Sequence, residues 1–368
     1  MAVTNRTNRT NRTNRTNRTN RTGQDNGELA ALGEDGSMGL SDALQAAMLA
    51  FTNAPMQVDP QILNRVAESD YYRTLNARHR DHLIVSTLME GFQVADVGGG
   101  IGVNTMARLS TGVPPAPVLT LTLNTDVANS GFWSGQIDDL RAKKWNREDR
   151  LAEIIAQQTD IHSFLGLALP ISADSHPWLM VLLDAVQEIA FRVATQMKDH
   201  FRMPRPDMLV GDLGPVVRTP SHSAFPSGHA TEAFAAAAVF GAFFPKRAPL
   251  LRQMAARIAV NRAYAGLHFP VDHHAGAIMG DLIANEVLRR LYGKGPGGTI
   301  AAPIDFVAIK SPPADPIYGV GVESYSISHS IMPEVPVAIA SPTAPTPSGI
   351  LPWLARKVWA DVNGGATP

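Results

Sequence analysis

Residues 176–203, 227–244 and 270–292 repeat apolar side chains three and four apart, and each stretch opens on a residue that starts helices. Pro177 and Pro270 suit first helical positions, Asp174 or Ser175 stands where a cap is needed, and Ser227 is a natural N-cap. The middle stretch holds Ala233 to Phe244, AFAAAAVFGAFF, which is apolar on every side and reads as a buried core helix. The same spacing recurs in LSDALQAAMLAF from Leu40, YYRTLNARHRDHLIVSTLMEGF from Tyr71 and NREDRLAEIIAQQTDIHSFLGLAL from Asn146. A mainly α fold, a helical bundle, is therefore expected.

Around that bundle the chain divides by composition. Residues 1–27 carry six copies of Thr-Asn-Arg from Thr4 to Arg21, with nothing apolar to bury, and are expected to be a disordered head. Residues 28–149 form an N-terminal helical region, interrupted over 98–126 by VPPAPVLTLTLNTD, which alternates like a strand or an extended loop. Residues 150–293 are the helical domain proper, and 294–368 a Pro-rich irregular tail expected to pack on it. DVGGGIGVN, Asp96 to Asn104, looks like a nucleotide-binding Gly-rich loop, but the β–α alternation such a loop requires does not follow, so it is read as a connector.

The formal net charge is −1, and once the six arginines of the repeat are set aside 26 basic residues face 33 acidic ones. A mildly acidic body argues against nucleic acid as a partner. Cysteine is absent, which removes disulfides, thiolate nucleophiles and Cys-based metal sites together. No run of 18 apolar residues and no secretory leader pattern is found, so the expectation is a protein without transmembrane segments, cytoplasmic by default, with export by another route left open. A homo-oligomer is compatible with the sequence.

Against this nearly neutral background three stretches that together hold cations and histidines stand out: KDHFRMPRP from Lys198, AFPSGHAT from Ala224 and NRAYAGLHFPVD from Asn261. Lys198 and Arg205 lie seven residues apart, two helical turns, and are expected on one face of a helix that Pro204 and Pro206 terminate; Arg202 falls off that face and reads as a solvated charge. In Pro226-Ser227-Gly228-His229, Ser227 caps, Gly228 allows close backbone approach, and the following helix aims free amides at a ligand. Arg262, His268 and Asp272 complete the set: with Pro270 opening a helix, Asp272 can hold one nitrogen of His268 and leave the other directed inward. Three fixed cations at a helix N-terminus suit a tetrahedral oxyanion, phosphate or vanadate.

Lys198-x6-Arg205-Pro206, Pro226-Ser227-Gly228-His229 and Arg262-x5-His268-x3-Asp272 resemble the three-part motif set of the superfamily shared by phosphatidic acid phosphatase type 2 enzymes, bacterial acid phosphatases and vanadium-dependent haloperoxidases. One departure is Asn261, where the family usually has Ser. The resemblance implies a helical bundle with the anion held between helix ends. It implies that Lys198, Arg205, Arg262, the Ser227 hydroxyl and the Gly228 amide bind the oxygens, that His268 bonds the central atom and is oriented by Asp272, and that His229 is the general acid–base. It also implies one of two activities: oxidation of bromide or iodide by hydrogen peroxide with vanadate as cofactor, or hydrolysis of a phosphate ester or pyrophosphate through a phosphohistidine with no cofactor. His222, seven residues before His229, resembles a second active-site histidine of algal bromoperoxidases and leans the expectation toward the haloperoxidase; there it would titrate near neutral pH and tune peroxide protonation.

Overall fold

The computed structural model describes residues 68–98, 104–124, 131–293, 304–308 and 349–364. The Thr-Asn-Arg head, the segment from Leu40 and most of the Pro-rich tail lie outside them. In chain order the elements are α1 (Glu68–Thr74), α2 (Ala77–Met89), β1 (Phe92–Gly98), β2 (Asn104–Thr111), β3 (Ala116–Asn124), α3 (Gly131–Lys144), a 3-10 turn (Glu148–Arg150), α4 (Leu151–Ala156), α5 (His162–Gly166), α6 (Pro177–Phe201), α7 (Pro206–Leu209), α8 (Gly228–Phe243), α9 (Ala248–Tyr264), α10 (Pro270–Tyr292), β4 (Ile304–Ala308) and α11 (Ile350–Val362).

A helix apolar all round must be wrapped on every side. This is the situation of α8: every residue from Ala230 to Ala242 is buried, and α6, α9 and α10 pack against it. The closest approach is to α10, where glycine makes room. A Cβ at Gly276 would stand 2.6 Å from the Ser227 carbonyl oxygen, and one at Gly280 2.8 Å from the Ala235 nitrogen. The N-terminus of α8 is thereby pressed against the first turns of α10, and the Ser227 amide donates to the Asp272 carbonyl at 2.9 Å.

The long helix α6 begins at Pro177 as expected, but neither Asp174 nor Ser175 caps it. Ser175 turns instead to Ser172, whose amide it accepts at 3.0 Å. The cap comes from the far end of the chain: the Asp361 carboxylate on α11 accepts the amides of Trp178 and, at 3.1 Å, Leu179. Trp353 of α11 stacks edge-on to Trp178 with 4.9 Å between ring centroids, and Tyr292 donates to the Ala355 carbonyl at 3.0 Å. The tail therefore includes a regular helix that closes the bundle, together with a strand.

Within the N-terminal region, the stretch from Val113 read as a strand or an extended loop contains a strand, β3, and two further strands precede it. There β1, β2 and β3 form an antiparallel meander, and β4 from the tail adds parallel to β3, giving the order β1-β2-β3-β4. Each residue from Val118 to Leu123 is buried, on both faces of the sheet. That burial depends on a strand almost 200 residues away, which no local pattern reveals. Strands β1 and β2 pair antiparallel, not as the parallel strands of a βαβ unit; residues 99–103 of the Gly-rich stretch lie outside the described residues. The helical run from Tyr71 is also split, where Asn76 accepts the His79 amide at 2.9 Å and starts α2 afresh. Among the described residues, no helix is long and apolar enough to cross a membrane.

Candidate active site

The C-terminal ends of α6 and α9 meet the N-terminal ends of α8 and α10. Helix α6 stops at Phe201 because Arg202 adopts a left-handed conformation (φ 47°) and its amide closes onto the Lys198 carbonyl at 3.0 Å. The chain then extends into Met203-Pro204, since a residue before proline is driven out of the helical region. Arg205 is consequently not on the face of α6, as its spacing from Lys198 predicts, but is the extended residue before α7. Arg202 is exposed as expected, 3.6 Å from Asp199.

Arg205 reaches the site from this loop with every side-chain nitrogen engaged. Nε donates to the His222 carbonyl at 3.0 Å, Nη1 to the Leu267 carbonyl and to His268 Nε2 at 2.8 Å each, and Nη2 to His222 Nδ1 at 3.0 Å. Guanidinium nitrogens only donate, so both histidine nitrogens facing it are acceptors. His268 therefore carries its proton on Nδ1, which donates to Asp272 Oδ2 at 2.9 Å; the same oxygen accepts the Phe269 amide at 3.0 Å. Pro270 and Asp272 sit in the first turn of α10 and His268 just ahead of it, the placement read from the sequence.

Lys198, in the last turn of α6, is buried and points its ammonium at the carbonyls of Ser223 (2.8 Å), Ala224 (3.1 Å) and Pro226. Its three donors thus tie down the loop that leads into α8, an arrangement different from direct donation to a ligand. Ser227 is the N-cap of α8, its hydroxyl accepting the Ala230 amide at 3.4 Å. In front of Gly228 the space is open: a Cβ there would meet only Glu232 Oε1, at 3.9 Å.

The remaining pair is organised by a residue the motifs do not contain. Gln157, just past α4, is 1% exposed. Its carbonyl accepts from His229 Nε2 at 3.1 Å, which fixes the proton of His229 on Nε2 and makes Nδ1 the acceptor. Its side-chain oxygen accepts from Arg262 Nη2 at 3.1 Å and from Asn261 Nδ2 at 3.0 Å, while Nη2 also donates to the Ile154 carbonyl at 3.0 Å. Asn261, the departure from the family pattern, is fully buried and hydrogen-bonded on both ends, accepting from Arg150 and donating to Glu153. Arg262 Nε and Nη1, Gln157 Nε2, Asp272 Oδ1 and both nitrogens of His273 are buried without a protein partner. Buried polar groups are normally satisfied, and an orphaned one costs about 1–3 kcal/mol, so the three unsatisfied donors among them, Arg262 Nε and Nη1 and Gln157 Nε2, mark where a ligand rich in acceptors is accommodated.

Electrostatics agree with that placement. Burial lowers Arg262 to about 9, and lowers Arg205 to about 10 against the opposing pull of Asp272, so both stay cationic at neutral pH. Burial, then the Arg205 and Lys198 charges, holds His268 well below its ordinary value; burial and Arg262 do the same for His229. Burial pushes Asp272 upward, opposed by Lys198 and Arg205. His222 presents an exposed edge to solvent, but its Nδ1 accepts from Arg205; burial of that inner side, then Lys198 and Arg205, depresses it too. A histidine in this position is neutral at pH 7, and the expected titration near neutrality moves to lower pH.

Sequence reading thus found every motif residue that gathers here and missed Gln157, Glu153, Arg150 and His273. The only local cue to the first three is the helical patterning after Asn146, which says nothing of which polar residue turns inward. His273 lay one position beyond the last motif residue.

The family model of the PAP2 superfamily matches residues 178–295, a span that contains all three motif clusters. The resemblance carried by those clusters is therefore borne out over that span. Similar solved structures include a transmembrane PAP2-type phosphatidylglycerolphosphate phosphatase from Bacillus subtilis, 21% identical, covering 43% of this chain and 85% of that one with a TM-score of 0.31. They also include a bacterial vanadium-dependent iodoperoxidase, 19% identical, covering 42% of this chain and 48% of that one with a TM-score of 0.33. This chain spans about half the length of the iodoperoxidase. No curated protein sequence is matched by this chain.

Proposed function

We propose that this PAP2-superfamily chain is an oxyanion-dependent enzyme and, more specifically, a vanadate-dependent haloperoxidase that oxidises bromide or iodide with hydrogen peroxide. The observation that carries the finer reading is His229. Its Nε2 proton is held by the Gln157 carbonyl, and burial and Arg262 keep it neutral. An imidazole so held is already in the unprotonated form from which a general base starts, with Nδ1 as its acceptor, which suits taking a proton from hydrogen peroxide. His222, a second neutral imidazole beside Arg205, supports the same reading.

The residues present fit vanadate: Arg262 Nε and Nη1 are buried donors without protein acceptors, and the space before Gly228 is open. Arg262, the Ser227 hydroxyl, the Gly228 amide and Arg205 would hold its oxygens, and His268 Nε2 would be the protein ligand. Vanadate, when bound, supplies the electrophilic centre at which peroxide becomes an oxidant for halide. His268 is a good ligand because it is neutral, and Asp272 keeps the proton on Nδ1 so that Nε2 offers its lone pair. For that bond to form, Arg205 Nη1 must leave Nε2, and it remains near through its bond to the Leu267 carbonyl. Lys198 contributes positive charge from behind the loop it holds.

A phosphatase is the second reading, favoured by Lys198, whose three engaged donors leave it better suited to background charge than to polarising peroxide. There the His268 Nε2–P bond would form as the ester P–O bond breaks, His229 would protonate the departing alcohol, and water would cleave the phosphohistidine. The depressed pKa of His229 opposes the acid role at neutral pH. A paired assay on one preparation decides: p-nitrophenyl phosphate hydrolysis without vanadate, against bromination or iodination of a dye with vanadate and peroxide. Halogenation that requires added vanadate is expected; hydrolysis with no halogenation would overturn the haloperoxidase in favour of the phosphatase.

A further inference from the structure

We infer that Gln157 is itself an anion-binding residue, its side-chain amide Nε2 donating to an oxygen of the bound oxyanion while its two carbonyl oxygens hold Arg262, Asn261 and His229 in position. The inference rests on the oxyanion-site reading above and adds to it a residue from outside the 178–295 family match.

The orientation of the amide follows from a chain of obligate donors. Arg150 Nη1 can only donate, and it bonds Asn261 Oδ1 at 3.1 Å, which fixes that oxygen and makes Nδ2 the donor end of Asn261. Asn261 Nδ2 then donates to Gln157 at 3.0 Å and to Glu153 at 2.9 Å. Arg262 Nη2, again a donor only, bonds the same Gln157 atom at 3.1 Å. That atom must be Oε1, because a flipped amide would set its NH2 group against two other donors. Nε2 is consequently the end left over, and it is buried with no protein acceptor.

Gln157 is joined directly to the site at two points, through the His229 imidazole and the Arg262 guanidinium, and the other orphaned donors of the cluster, Arg262 Nε and Nη1, belong to its hydrogen-bond partner. Three unsatisfied N–H-bearing atoms on two bonded side chains, in a site with an open space before the α8 N-terminus, call for a ligand that brings several acceptors and no competing donors. A phosphate or vanadate dianion has that character; a cation or an amine does not. The neutral amide adds a directed bond without adding charge, so it distinguishes oxygen positions and leaves the pKa values of His229 and His268 to the cations.

The test uses inorganic phosphate and the full chain. In the parent, the Gln157 side-chain 15N–1H2 resonances, assigned through their connectivity to the backbone of the parent itself, are expected to shift downfield and exchange more slowly with solvent as phosphate saturates. Gln157→Glu keeps the acceptor oxygen for Arg262 and Asn261 but replaces the donor with an oxygen and adds a negative charge; its phosphate Kd is expected to rise at least about tenfold, from the lost hydrogen bond and the added repulsion together. If phosphate binds saturably and the Gln157 resonances do not move, or Gln157→Glu binds it as tightly as the parent, the amide is scaffolding and the inference is overturned. The parent resonances decide even where a variant fails to fold. Absence of any saturable phosphate or vanadate binding by the parent would instead overturn the oxyanion reading on which this one rests.

Discussion

Arg205 and Arg262 are both fixed cations in the same cluster, yet their hydrogen bonds assign them different work. All three nitrogens of Arg205 are bonded to protein, to two backbone carbonyls and two imidazoles, whereas Arg262 is anchored through Nη2 alone and keeps Nε and Nη1 in reserve. Arg262 is therefore the guanidinium best placed to offer a fork to an oxyanion. Arg262→Lys keeps the charge and removes the planar pair of donors. Its affinity for phosphate or vanadate, measured by calorimetry, is expected to fall about tenfold or more, the worth of one hydrogen bond between charged groups. Unchanged affinity would mean that charge alone holds the anion. The motif spacing made these residues legible as a set, because the residue types and their proline and glycine neighbours are specified locally. It did not distinguish the two arginines, since their bonding depends on His222, Leu267 and Gln157, which other elements supply.

At the scale of elements the site depends on how closely α8 and α10 approach. The Ser227 amide donates to the Asp272 backbone carbonyl, so the cap of one helix is joined to the main chain of the residue whose carboxylate orients His268 on the other. Gly276 is the residue that lets this joint close. Gly276→Ala places a methyl group 2.6 Å from the Ser227 carbonyl oxygen and 2.9 Å from the Ala230 Cβ. The two helices must part, at about 1–3 kcal/mol by the usual scale of overpacking. The expected outcome is a lower Tm together with weakened anion binding, because the displaced atoms belong to the cap itself; a variant with lowered Tm and unaltered phosphate Kd would separate the joint from the site. The long helices α6, α8 and α10 were readable from periodicity and starting prolines. Of the sheet only the alternation of β3 was readable; its pairing with β4 from the tail was not, and neither was the cap on α6, because Asp361 comes from α11.

Over the whole molecule, an unusual number of histidines are neutral and enclosed, which makes folding sensitive to acid. His229, His268 and His273 all have folded pKa values pushed down, with burial as the first cause. A histidine depressed in the folded state binds fewer protons there than in the unfolded chain. Its contribution is fully present above the unfolded pKa of about 6.5 and is lost as the pH falls below it, by up to about 1.4 kcal/mol per pH unit. Asp272, pushed upward by burial, has the opposite sign and offsets one of the three. The net expectation is a Tm that falls between pH 7 and 5. His273→Asn removes one of these terms, so the stability difference between variant and parent, from denaturant titrations at several pH values, should move in the variant's favour by about 1.4 kcal/mol for each unit below 6.5. A difference independent of pH would show that His273 takes up its proton as easily folded as unfolded. The sequence by itself determined the helical class, the three long helices and the cations and histidines of the site, because periodicity, caps and motif spacing are written within stretches of thirty residues or fewer. Tertiary structure alone decided that Lys198 holds a loop, that Arg205 covers His268 Nε2, that Gln157 joins His229 to Arg262 and that the tail completes both the sheet and α6. Each of those outcomes turns on which donor meets which acceptor across elements far apart in the chain, and hydrogen-bond partners become fixed only when burial has removed water as the alternative.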